Sequence, residues 1–157
     1  MLKNHYQPKG KVLWDSWFIK EADTYHDFYL QSNAQEKCEL QYNVPVSIGH
    51  AQSKDLIAWE ELPFALEPGE GDEWDDLALW TGSVIKKDGL YYMLYTGRSK
   101  REKEKYIQKI GLATSDDLLT WNKHKENPIL EADADFYQTD FTKNELGIIG
   151  TWRDPHV

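Results

Sequence analysis

An all-β chain, organised as a β-propeller of four-stranded blades, is what this sequence predicts. Two observations carry that reading: an internal repeat, and short aromatic or β-branched runs set between turn residues. Ile48-Gly49-His50-Ala51-Gln52-Ser53-Lys54-Asp55-Leu56-Ile57-Ala58-Trp59 aligns without a gap to Ile110-Gly111-Leu112-Ala113-Thr114-Ser115-Asp116-Asp117-Leu118-Leu119-Thr120-Trp121, 62 positions on. The shared Ile-Gly-x-Ala-x-Ser-x-Asp-Leu-x-x-Trp is far beyond what composition produces. Each unit holds four short strands, and such units need neighbours to bury their faces, as propeller blades do. Within a single domain spanning 1–157, blade 1 is expected at about 12–66, blade 2 at about 78–131 and the first strand of a third at about 147–157.

In chain order, Val12 to Ile19 is an apolar run interrupted by Asp15, the pattern of a buried first strand with one acid in it. His26 to Gln31 reads as the second strand, Val44 to Ala51 as the third with Pro45 near its start, and Trp59 to Leu62 as the fourth. In the second unit, Leu79 to Ile85 answers the first run. Asp88-Gly89 then makes a hairpin turn, and Leu90 to Thr96 answers Phe28-Tyr29-Leu30. The loop Glu67 to Asp76 carries six acids, but their spacing matches no calcium-loop pattern, so it reads as a solvated loop and no metal is expected. Lys100 to Lys105 reads as a charged hairpin tip.

A net charge of −9 argues against nucleic acid or an anionic membrane surface as a partner, because either needs clustered Lys and Arg. Seven Trp and nine Tyr suit a β-rich core or a site that stacks on sugar faces. Cys38 stands alone, so no intrachain disulfide is possible and no oxidising compartment is implied. Met1 to Lys11 lacks an apolar h-region and no window reaches the length of a membrane span. A soluble cytoplasmic protein without a cofactor is therefore expected.

Arg153-Asp154-Pro155, taken alone, would be a surface ion pair beside a strand-start proline. The repeat changes that reading. Trp14, Trp80 and Trp152 each open the first strand of a unit, and first strands line the central channel of a propeller. Asp15, Thr81, Ser83, Arg153 and Asp154 should therefore converge on one funnel. Carboxylates gathered at an aromatic pocket point to polar chemistry, since unpaired acids in a core are costly. His50 occupies the place of Leu112 in the repeat and reads as a packed, hydrogen-bonded histidine, while His156 has no assigned role.

Trp14-Asp15-Ser16-Trp17, Trp80-Thr81-Gly82-Ser83 and Arg153-Asp154-Pro155, in that order, resemble the motifs of the five-bladed propeller glycosidases of glycoside hydrolase families 32 and 68, with family 43 more distant. The likeness covers Trp14 to Val157 and corresponds to the N-terminal half of such a domain. It implies a retaining fructosyl hydrolase or transferase acting on sucrose or fructans. By the resemblance, Asp15 matches the nucleophile and Asp154 the acid that stabilises the transition state by holding sugar hydroxyls. Arg153, Trp14, Trp80 and Ser83 match substrate-binding positions. In retaining enzymes the nucleophile and the acid lie about 5–5.5 Å apart.

The resemblance also implies a general-acid Glu in a later blade, downstream of Arg-Asp-Pro, and no Glu of this chain, Glu145 included, matches its context. The 157-residue chain alone is therefore expected to be inactive or nearly so. Its partners would be a carbohydrate substrate and either the remainder of the propeller or a second copy across the open edge. Two alternatives stay open: a family 43-like inverting arabinosidase or xylosidase, with carboxylates about 6.5–9.5 Å apart, and a non-catalytic sugar-binding or self-associating half-propeller.

Overall fold

The computed structural model describes residues 6–34, 44–101, 107–137, 139 and 152–157, whose strands form two antiparallel four-stranded sheets. In the first, β1 (Lys11–Glu21), β2 (Thr24–Asn33), β3 (Ser47–Ser53) and β4 (Trp59–Leu66) lie side by side in chain order. In the second, β5 (Ala78–Lys87), β6 (Leu90–Arg98), β7 (Lys109–Ser115) and β8 (Asn122–Lys123) do the same. These are the two expected meanders. Among the described residues there is no helix.

The β5–β6 hairpin closes with Lys87 opposite Leu90, and its central residues Asp88 (φ 52°) and Gly89 (φ 84°) are both left-handed. That backbone matches the twist of the flanking strands. The β1–β2 hairpin closes over Ala22-Asp23, with Ala22 at φ 52°, a conformation that disfavours any residue with a Cβ. No glycine advertises this turn, so the second strand begins two residues before the His26 that the sequence pattern suggests.

The repeated motif is turn chemistry. The Ser53 hydroxyl accepts from the backbone N–H of Asp55 (3.2 Å) and Leu56 (2.9 Å), while Asp55 accepts from those of Ile57 (2.9 Å) and Ala58 (2.8 Å). Ser115 and Asp117 do the same at 3.2, 2.9, 2.8 and 2.8 Å, and Leu56 and Leu118 are left-handed at φ 62° and 67°. Side-chain oxygens replace the ladder where the chain reverses. The repeated glycine answers a different need. Gly49 and Gly111 lie opposite Tyr29 and Tyr95, and a Cβ at either would run into that tyrosine ring.

One apolar cluster joins the two sheets. It includes Phe28, Leu30, Val46, Ile48, Leu66, Leu79, Trp80, Met93, Tyr95 and Trp121. Phe28, Leu30, Ile48, Leu79 and Met93 are almost wholly buried, each stabilising the fold by about 1.5–3 kcal/mol relative to exposure. Where the sheets meet, the Leu79 N–H donates to the Val46 carbonyl at 2.9 Å, so the entry to β5 is tied directly to blade 1.

Two expectations are corrected. Trp152–Val157 is not a strand: no neighbouring strand among the described residues offers it a ladder, and it is held instead by blade 2 side chains. The acidic loop is only partly solvated. Glu67, Glu70, Asp72 and Glu73 are exposed, but Asp75 and Asp76 are buried. Asp75 accepts from Lys123 Nζ (2.7 Å) and the Tyr95 hydroxyl (3.0 Å), and Asp76 accepts the Lys100 N–H (2.7 Å). Buried acids here organise the chain. Among the described residues no group of acids, histidines or cysteines is arranged to hold a metal ion. Cys38, Glu145, residues 147–151 and most of the Lys100–Lys105 tip lie outside the described residues.

Blade 1 also buries titratable groups. His50 is stacked on Phe28 with ring centroids 4.4 Å apart, and its Nε2 is 2.9 Å from His26 Nδ1. Burial lowers the pKa of both imidazoles, that of His50 to about 3, so the stability they confer is lost as pH falls below their ordinary 6.5. Asp27 works in the opposite sense. Burial raises its carboxyl from 3.8 to about 7 against a weaker lowering by Ser16. The folded protein then binds more protons than the unfolded chain between about pH 4 and 7, and this term weakens the fold as pH rises through that window. Asp27→Asn should gain stability relative to the parent chain over the same interval, read by urea denaturation at a series of pH values. A gap independent of pH would contradict this assignment.

Candidate active site

Each first strand is broken at the same place. Trp14 pairs with Leu30 and Ser16 with Tyr29, leaving Asp15 as the extra residue of a β-bulge. Trp80 pairs with Thr96 and Gly82 with Tyr95, leaving Thr81 likewise. A bulge re-aims one side chain out of the sheet's alternation and is common beside active sites. Asp15 also sits at φ 41° and Asp154 at φ 61°, backbone conformations that cost of order 1–3 kcal/mol for a residue other than glycine.

These devices bring distant residues to one cleft of about 290 Å³, near the lower end of the roughly 300–1,000 Å³ usual for small-molecule sites. Trp14, Asp15, Leu30, Trp80, Thr81, Arg153 and Asp154 line it. The Thr81 hydroxyl donates to Asp15 Oδ2 at 2.6 Å, a short charge-assisted bond from blade 2 to the acid of blade 1. Arg153 donates from Nε to Asp154 Oδ2 at 3.2 Å, and its guanidinium lies 5.4 Å from the centre of the Trp80 ring. A second cation, Arg98, is fully buried 4.4 Å from that ring. Trp80 thus meets two guanidinium groups, which a ring of negative face potential attracts.

Of the residues singled out in the sequence, Trp14, Asp15, Trp80, Arg153 and Asp154 meet in the cleft and Ser83 does not line it. The Ser83 hydroxyl is buried, without a hydrogen-bond partner among the described residues. Its place follows from the bulge: Gly82 and Ser83 resume the ladder, opposite Tyr95 and Leu94. His156 is exposed and is not among the cleft residues. Sequence reasoning missed Leu30, which lies opposite Trp14, and underweighted Thr81, whose place directly after Trp80 copies that of Asp15 after Trp14.

The arrangement offers two carboxylates, one clamped by a hydroxyl and one beside a guanidinium, with two indole rings as walls. Such a cleft suits a small polyhydroxylated ring that presents flat apolar faces and acceptor-hungry hydroxyls.

Comparison with known proteins bears on the family and the fold. The chain is 38% identical over 149 residues to a 6(G)-fructosyltransferase from Asparagus officinalis, covering 89% of this chain and 22% of that protein. It is 40% identical over 140 residues to an acid β-fructofuranosidase from Solanum lycopersicum, covering 80% and 19% respectively. The chain thus spans about a fifth of the length of these relatives. Among solved structures it resembles fructan 1-exohydrolase IIa from Cichorium intybus, with a TM-score of 0.64 and 28% identity over 83% of this chain and 24% of the other. These neighbours are five-bladed β-propellers, of which the two sheets here form a part. The family description "Glycosyl hydrolases family 32 N-terminal domain" matches residues 5–155, and the chain belongs to glycosyl hydrolase family 32.

Proposed function

We propose that this chain carries the nucleophile side of a retaining fructosyl hydrolase or transferase acting on sucrose or fructans. The observation that supports it most is the meeting of Asp15 and Asp154 in one cleft, from sequence positions at opposite ends of the chain. Relatives named fructosyltransferase and acid β-fructofuranosidase support the fructosyl group as the unit handled.

In this reading Asp15 attacks the anomeric carbon while the bond from that carbon to the leaving oxygen breaks, giving a fructosyl ester on Asp15. Thr81 holds one carboxylate oxygen, leaving the other for attack. Asp154 accepts hydrogen bonds from the sugar hydroxyls as positive charge grows on the ring, and Arg153 fixes the Asp154 carboxylate. Trp14 and Trp80 pack against the ring faces. Water, or another sugar hydroxyl, then attacks the anomeric carbon, the bond to Asp15 breaks to regenerate its carboxylate, and the attacker's proton passes to the conjugate base of the acid that protonated the leaving oxygen. The leaving oxygen needs a proton, and the acid that supplies it belongs to a part of the propeller beyond these two blades, whether continuous with this chain or brought by a partner.

Titration of the 157-residue chain with fructose, followed by amide chemical shifts, tests the site apart from turnover. Residues around the cleft should shift with saturation, and Asp154→Ala should weaken binding by roughly 10–100-fold, the worth of a hydrogen bond to a charged group. Equal affinity in the two proteins, or no shifts at Trp14, Trp80 and Arg153, would dismiss the proposal.

A further inference from the structure

We infer that Thr96 is a positioning residue that sets the placement of Asp154 relative to Asp15. The inference rests on the fructosyl reading above for its functional meaning, and on three hydrogen bonds for its geometry. The Thr96 hydroxyl donates to the Thr81 carbonyl at 3.1 Å and accepts the Asp154 N–H at 3.1 Å. Thr81 in turn donates from its own hydroxyl to Asp15 Oδ2 at 2.6 Å. The chain of contacts therefore runs Asp15, Thr81, Thr96, Asp154, and joins both carboxyl-bearing residues through one side chain on β6.

A threonine hydroxyl has one proton to give and lone pairs to receive, so it can serve both neighbours at once. Both need it. The bulge leaves Thr81 without a partner residue in the β6 register, and the Thr96 hydroxyl gives its carbonyl a donor there. Trp152–Val157 has no strand beside it among the described residues, so the Asp154 N–H also takes a side-chain acceptor. The φ of 61° at Asp154 is disfavoured unless its surroundings hold it, and the bond from its own N–H is one such restraint.

The repeat supplies an internal control. In blade 1 the residue opposite the first-strand Trp is Leu30, and in blade 2 it is Thr96. The ladder is the same in both, so strand pairing alone does not demand a hydroxyl at this position. Blade 2 differs in that the Arg153-Asp154 segment docks against it. Thr96 is fully buried, and a hydroxyl there without partners would be unfavourable.

The test compares Thr96→Val, which keeps the shape and deletes the hydroxyl, with Thr96→Ser, which keeps the hydroxyl, in the 157-residue chain. Amide exchange at Asp154 and fructose affinity are measured together. In Thr96→Val, Asp154 exchange should rise about tenfold or more and fructose should bind about tenfold more weakly, and Thr96→Ser should restore both. Unchanged exchange at Asp154 overturns the inference. So does faster exchange with fructose affinity intact, because the contact would then be structural only. Where neither the parent chain nor any variant binds fructose, yet exchange responds to Val and recovers with Ser, the positioning contact stands and the fructosyl reading is what fails. A measurement on the parent chain needs no variant: the Thr96 hydroxyl proton should exchange slowly and show a nuclear Overhauser contact to the Asp154 amide. Its absence would also overturn the inference.

Discussion

Offered sucrose, the 157-residue chain should turn it over roughly 10²–10⁴-fold more slowly than a family 32 enzyme with its full complement of blades, the size of general-acid assistance. Offered a fructosyl donor whose leaving group needs no proton, such as fructosyl fluoride, it should still acquire a fructosyl group on Asp15. The contrast follows from the cleft, whose lining holds two aspartates and an arginine but, among the described residues, no glutamate. Departure of a sugar alkoxide from sucrose requires protonation. Departure of fluoride does not, because fluoride leaves as a stable anion while the Asp15 oxygen takes its place at the anomeric carbon. Peptide mass mapping after brief exposure to the fluoride should find one fructosyl increment on the peptide containing Asp15, absent from Asp15→Asn. Turnover of sucrose at ordinary family rates would show that this chain holds an acid not seen in the cleft. Labelling that persists in Asp15→Asn would remove Asp15 from the nucleophile's place.

Blade architecture was legible because its signals are local and repeated. Ser53-x-Asp55-Leu56 and Ser115-x-Asp117-Leu118 each encode a reversal through their own side-chain oxygens, so the sequence states the turn directly. Asp88-Gly89 does so through two left-handed positions. Asp15 and Asp154 were legible as a pair because Trp14, Trp80 and Trp152 read as equivalent places in successive units and because the motifs around them resemble a family's in that order. What was hidden depends on contacts across strands. The bulges shift register by one residue, which a pattern of period two cannot reveal beforehand, and Ser83, expected in the cleft from its place in a first strand and from the resemblance, lies outside it. Thr96 carries no signal of its own, since threonine is an ordinary strand residue and its role comes from a loop more than fifty positions away. The strand expected at Trp152 failed for a related reason: extended sequence becomes a strand only where a neighbour supplies a ladder.

Asp75 and Asp76 show the same limit, and Lys123→Met turns it into a measurement. Six acids in ten residues look solvated, yet Asp75 is fully buried and meets Lys123 Nζ at 2.7 Å, with the Lys123 side chain 25% exposed. Burial, and next the Asp75 carboxylate, raise the pKa of the Tyr95 hydroxyl, which keeps it a donor to that carboxylate at 3.0 Å. Asn127 completes the group by donating to the Tyr95 oxygen at 3.2 Å. Removing the lysine strands a buried charge, and breaking such a pair costs about 3–5 kcal/mol, here nearer 3 because water reaches Lys123. For a chain of this size the melting temperature should drop by roughly 6–12 °C. Asp75→Asn should cost less than Lys123→Met, since the remaining ammonium can turn to solvent while a remaining carboxylate cannot. The double variant should recover at least half of the Lys123→Met loss, because the pair rather than either member is what burial tolerates. The exposed pair Lys54–Asp23 is the control: Lys54→Met should hardly move the transition. If Lys123→Met melts with the parent chain, or if the two substitutions simply add, the buried pair does not hold the loop, and the entry to β5 and Trp80 is fixed by the Leu79–Val46 backbone bond and apolar packing without it.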